Sequence, residues 1–111
     1  MAGKFVLSKD AQGRYHFVLK ATNGQVIFSS EKYSDRSGAL GGIESVRLNS
    51  TNPSRFEVKS TPDGRYFFSI RAANHQVLGV SQMYRDRGGV DAGIESVKLN
   101  APVANTEHQD A

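Results

Sequence analysis

Between residues 4 and 30 the chain reads as three short runs of alternating apolar and polar positions. In the first, residues 4–9, Phe5 and Leu7 share one parity against Lys4, Val6 and Ser8. In the second, residues 14–20, Tyr15, Phe17 and Leu19 share a parity against His16, Val18 and Lys20. The third, residues 25–30, holds Val26, Ile27 and Phe28 in succession, so parity leaves its faces open. Such runs, rich in aromatic and β-branched residues, predict strands. Their separators are turn chemistry: Asp10-Ala11-Gln12-Gly13, then Ala21-Thr22-Asn23-Gly24, where Asn-Gly accepts positive φ at low cost. Short turns between all three predict an antiparallel meander.

The period then lengthens. Leu40, Ile43, Val46 and Arg47, with Ala39 beside them, fall near one face at helical spacing and predict a helix over about 35–48. Ser34 reads as its N-cap, with Asp35 in the first turn where the helix dipole favours an anion. Gly41 and Gly42 weaken its interior by about 1 kcal/mol each against alanine. The glycine at 42 implies that the helix backbone approaches the sheet too closely for a Cβ. Asn49 suits a helix end.

The same succession returns after a short linker at 50–54. Gly42-Ile43-Glu44-Ser45-Val46-Arg47-Leu48-Asn49 reappears as Gly93-Ile94-Glu95-Ser96-Val97-Lys98-Leu99-Asn100. Upstream of both copies stand Gly-Arg-Tyr, Asn-x-Gln-Val and Tyr-x-Asp-Arg. Strands are predicted over 55–60, 65–71 and 76–81, and a helix from 86 or 88 to 99. A unit of about 50 residues is therefore written twice. With 111 residues the copies must share one core, since half the chain makes a marginal domain alone. The fold expected is α+β: two tandem β-β-β-α(-β) repeats, about 4–50 and 55–101, forming one pseudo-twofold antiparallel sheet with both helices on one face. Residues 1–111 are then a single domain, and the polar tail after Pro102 is expected to fray.

Composition narrows the chemistry. The absence of cysteine removes disulfides, thiolate catalysis and Cys-based metal sites, and fits the cytosol. No apolar run approaches 18 residues, and the start lacks a secretory h-region, so neither a membrane span nor a signal is expected. His16, His75 and His108 have no ligand-like spacing, and no metal or other cofactor is expected. A net charge of +3 permits a nucleic-acid partner without demanding one.

The ordered double set of Gly-Arg-Tyr-x-Phe, Ala-x-Asn-x-Gln-Val, Ser-x-x-Tyr and Gly-Ile-Glu-Ser-Val-Arg/Lys resembles the YegP-like family of small, uncharacterised bacterial proteins. The likeness covers nearly the whole chain up to about Asn100. It implies tandem repeats joined in one sheet, with strands exchanged between halves. It implies no activity. Leu48 and Leu99 depart from the family pattern, in which a lysine or polar residue is more usual.

Two groups of residues are candidate binding positions. The parity facing away from the helices offers Lys4, His16, Lys20, Arg55, Lys59, Phe67 and Arg71, an aromatic among cations of the kind that binds single-stranded nucleic acid on an open sheet. The helix-start corners offer Tyr33, Asp35, Arg36 and Tyr84, Asp86, Arg87. There each arginine could clamp an anion, while capping alone explains each aspartate. Glu44 and Glu95 read as solvated helix flanks rather than as an acid–base pair. The function expected is a non-enzymatic binding or structural module of the bacterial cytosol, an internal pseudo-dimer acting as a monomer, whose partner the sequence does not name, another protein being one candidate. The alternative is nucleic-acid binding on the open sheet face.

Overall fold

The computed structural model describes residues 3–109. In chain order these form β1 (Lys4–Lys9), β2 (Tyr15–Lys20), β3 (Val26–Ser30), α1 (Arg36–Asn49), β4 (Phe56–Ser60), β5 (Tyr66–Arg71), β6 (Val77–Val80), α2 (Arg87–Asn100) and β7 (Asn105–Gln109). A single 3-10 turn follows each helix, at Pro53–Arg55 and Ala101–Val103. The strands make one seven-stranded sheet in the order β4-β5-β6-β3-β2-β1-β7. Each repeat keeps its own three strands together. The seam is the antiparallel pair β3–β6, where Ser29 faces Val80, its counterpart in the other repeat.

Two expectations are corrected at β7. The tail does not fray up to Gln109: Asn105–Gln109 pairs with β1, while its last two residues lie outside the described ones. That pairing is parallel, with Phe5 opposite Thr106 and Leu7 opposite His108, so the sheet is mixed rather than wholly antiparallel. The reason is topological. The chain leaving α1 becomes β4 beside β5, but the chain leaving α2 finds the equivalent place taken by β1 and lies down outside it. Strand exchange between halves is confined to this one element.

Both helices cover one face. α1 packs on β2 and reaches β5 and β6, while α2 packs on β5 and reaches β3, so each helix straddles the seam. The predicted parity forms the core: Phe5, Leu7, Phe17, Leu19, Phe68 and Ile70 are buried with Ile43, Val46 and Val97. The undecided third strand contributes Phe28, and Val90 joins from α2. Burying each large side chain contributes about 1.5–3 kcal/mol. Leu40 is corrected: it is exposed, and Ala39 takes the inward place. Leu48 and Leu99 are 77% and 75% exposed, both off the core stripe.

The helix starts also differ from expectation. Asp35 itself is the N-cap, accepting from the Gly38 N–H at 2.7 Å, and Asp86 does the same for Gly89 at 2.8 Å. The position of Ser34 is Arg85 in the second repeat, so only the aspartate is shared. The close approach expected at Gly42 and Gly93 is present. A Cβ on either would overlap the hydroxyl of Tyr33 or Tyr84, and at Gly42 would also press on Phe17.

Candidate functional site

The seven basic-face candidates do not form one patch. Lys4, His16 and Lys20 lie on β1 and β2, and Lys59, Phe67 and Arg71 on β4 and β5, with β3 and β6 between the two groups. Arg55, the last residue of the 3-10 turn before β4, turns its Nε to Asn49 Oδ1 at 3.0 Å. Lys4 pairs with Glu107 at 3.0 Å, while Arg71 and Lys59 share Glu57 at 3.0 and 3.7 Å. Phe67 is half-buried opposite Lys59, and Val18 lies three strands away rather than beside it. These seven residues therefore do not make one continuous cationic and aromatic platform of the kind that binds single strands.

His16 sits between Ser8 Oγ at 3.4 Å and Lys32 Nζ at 3.5 Å. Burial lowers its pKa below the usual histidine range, Lys32 lowers it further, and Asp10 opposes them. It is a neutral, wedged residue of the sheet surface. Glu44 and Glu95 are exposed, and each pairs one turn on, with Arg47 and Lys98 respectively.

The corners are structural at their tyrosines and aspartates. Tyr33 and Tyr84 bridge back to Tyr15 and Tyr66 through paired backbone hydrogen bonds. Tyr33 stacks on Phe17 with ring centroids 6.2 Å apart. Burial raises the pKa of both hydroxyls above the ordinary phenol range, with Glu31 adding to the effect at Tyr33.

The corner arginines behave differently in the two repeats. Arg36 lies over the Tyr15 ring and donates to His108 Nδ1 at 3.0 Å. Further along α1, Arg47 lies over Phe5 and donates to Ala104 O at 2.7 Å and Thr106 Oγ1 at 3.0 Å. Two cations of α1 thus hold β7 against β1. Among the described residues their counterparts on α2 hold no strand. Arg87 reaches only as far as Asp91 at 4.0 Å with its side chain largely exposed, and Lys98 reaches Glu95 at 3.3 Å.

Burial follows the same asymmetry. Phe5, Leu7 and Ile43 are 0%, 2% and 1% exposed, whereas their counterparts Phe56, Val58 and Ile94 are only partly buried. Elsewhere many core positions match, as Phe17 matches Phe68 and Val46 matches Val97, while buried Phe28 has Gly79 as its counterpart at the seam. The lost cover falls on the β4 edge. There Phe68 and Tyr66 turn their N–H groups away from β4, to Ser81 Oγ and Tyr84 O. In an antiparallel ladder their partners Val58 and Ser60 then direct their own N–H and C=O groups outward. The candidate site is this edge, with Arg87 and Lys98 at the α2 positions that match those from which Arg36 and Arg47 reach β7 on α1. Sequence reasoning missed it. The available signal was the pairing of Arg47 with Lys98 across the repeat.

Comparison with known proteins agrees with the repeat. A family described as a domain of unknown function, DUF1508, matches residues 10–57 and again 62–107. The chain is 46% identical over 104 residues to a Stutzerimonas stutzeri protein, "UPF0339 protein in ptx operon 5'region", covering 94% of each. It is 47% identical over 100 residues to the UPF0339 protein YegP of Escherichia coli (strain K12), covering 90% of this chain and 91% of that one. The solution NMR structure of yegP from E. coli, described as a protein of unknown function, superposes with a TM-score of 0.94 at 42% identity, covering 100% of this chain and 96% of that one. These relatives are uncharacterised.

Proposed function

Because the chain belongs to the DUF1508 family of uncharacterised bacterial proteins, we propose its function from its own geometry: it is a non-enzymatic module that binds another protein along the β4 edge. The observation that supports this is the one-sided burial of the repeat. The β1 edge is covered by β7, while the matching β4 edge has outward backbone groups and half-buried Phe56 and Val58. Such an edge favours main-chain pairing with a partner strand. The charged side chains of Glu57 and Lys59 alternate with these residues and disfavour indiscriminate pairing. Its working compartment in this reading is the bacterial cytosol, which a cysteine-free chain suits.

Val58→Pro tests the reading, since it deletes an outward N–H and leaves the ladder to β5 intact. Tagged wild-type protein is expected to retain specific partners from a bacterial lysate that folded Val58→Pro loses. Equal retention by both, or a turnover detected in broad substrate screens, would sink the proposal.

A further inference from the structure

We propose that the partner segment is an extended strand with acidic residues at alternate positions, laid parallel to β4 and clasped by Arg87 and Lys98; this rests on the reading of the β4 edge as the binding surface. The protein contains a filled copy of the same seat. Beside β1, β7 runs parallel and turns Thr106 and His108 toward α1, where Arg47 and Arg36 hold them at 3.0 Å each. The repeat carries β1 onto β4, Arg47 onto Lys98 and Arg36 onto Arg87. A strand placed on β4 as β7 is placed on β1 therefore turns two alternate side chains toward Lys98 and Arg87.

Charge selects those side chains. Among the described residues Lys98 and Arg87 pair only on their own helix, with Glu95 and Asp91, in surface pairs that are weak and readily exchanged. Carboxylates brought by a partner strand would give both cations charge-assisted hydrogen bonds. The residue between the two acids turns to the other face. On β1 that face holds Val6 opposite Glu107, with Lys4 taking the carboxylate. On β4 the place of Val6 is taken by Glu57, already paired with Arg71 and Lys59, and the place of Lys4 by Arg55, turned to Asn49, so a carboxylate there finds each of these cations already engaged. The pattern expected is acid, neutral hydroxyl, acid. Seating it covers Phe56 and Val58 as β7, beside β1, covers Phe5 and Leu7.

The probe is the synthetic peptide acetyl-Val-Ala-Asn-Glu-Thr-Glu-Gln-amide. It follows the chain's own segment from Val103 to Gln109, with acids at the two helix-facing positions and a hydroxyl residue between them. Titrated into the full-length 15N-labelled protein, it is expected to shift the Phe56, Val58 and Ser60 amides saturably and slow their hydrogen exchange. The same peptide with glutamine at both acid positions is expected to bind about tenfold more weakly or worse. Lys98→Glu, which reverses a charge on α2 without touching the strand, is expected to do the same, so the outcome does not hang on the folding of Val58→Pro. Shifts at Phe5 and Leu7 instead, from displacement of β7, would overturn the proposal. So would the absence of saturable shifts, or binding indifferent to Lys98→Glu. If the peptide fails while Val58→Pro still abolishes partner capture, the edge remains the binding surface and the acidic parallel strand is wrong.

Discussion

His75 is the one non-glycine residue with positive φ among the described residues, at 70°, in the turn between β5 and β6. Its counterpart in the first repeat is Gly24, at 84°. The left-handed conformation costs a residue with a Cβ roughly 1–2 kcal/mol, part of which glycine gives back through its freer unfolded chain. His75→Gly is expected to raise stability by about 0.5–1 kcal/mol, read as a higher urea midpoint at unchanged slope. The bond from Arg71 Nη1 to the His75 carbonyl, 2.9 Å, uses backbone and survives the change. His16 sets a pH dependence in a window of its own. Its folded pKa lies below its unfolded one, so as pH falls the unfolded chain takes up the proton first. Its contribution is whole above about pH 6.5 and is lost as pH falls through the folded pKa. Melting temperature measured from pH 8 down to pH 5 should decline in that window, and His16→Gln should flatten the decline. Asp10, Glu57 and Asp63, whose pKa values are lowered chiefly by hydrogen bonds from Arg14, Arg71 and Thr61, act only at more acid pH.

The same residue type in the same element has different weight in the two repeats. Ile43 of α1 is buried and Ile94 of α2 only partly so. Ile43→Ala is expected to cost about 2–5 kcal/mol and Ile94→Ala clearly less, by equilibrium unfolding of each variant. Equal losses would mean that the β4 edge is as well covered as the β1 edge. A chain ending at Ala104 tests the cause directly. Without β7, Phe5 and Leu7 lose their cover, Arg36 loses His108 and Arg47 loses Thr106. Hydrogen exchange at the outward β1 amides should then rise to the rates seen in β4.

At the scale of the molecule the repeats are expected to unfold as one cooperative unit. β3 and β6 join them by main-chain bonds, and each helix packs on strands of both halves. Far-UV and near-UV circular dichroism should report a single coincident unfolding transition. Gly79 sits on this seam, where a Cβ would overlap Ser29 O and the Phe28 ring. Gly79→Ala is expected to destabilise by about 1–3 kcal/mol or more, and to loosen amides of β3 and β6 together rather than one repeat alone.

Much of this architecture was legible in the sequence because it rests on local physics. Apolar, β-branched and aromatic runs between turn residues marked six strands, helical spacing marked two helices, and the internal echo marked the pseudo-twofold and the glycines under Tyr33 and Tyr84. β7 was not legible. Asn105-Thr106-Glu107-His108-Gln109 has no apolar alternation, and it becomes a strand because β1 presents an open ladder and Arg36 and Arg47 wait above it. The basic face failed for a related reason: parity places side chains on a face, while strand order decides which of them are neighbours, and β3 and β6 separate the two cationic groups. For the candidate edge the sequence offered only the pairing of Arg47 with Lys98 across the repeat. Repeated residues announce symmetry, but only the folded chain shows that β7 lies along β1 while no strand among the described residues lies along the matching edge of β4.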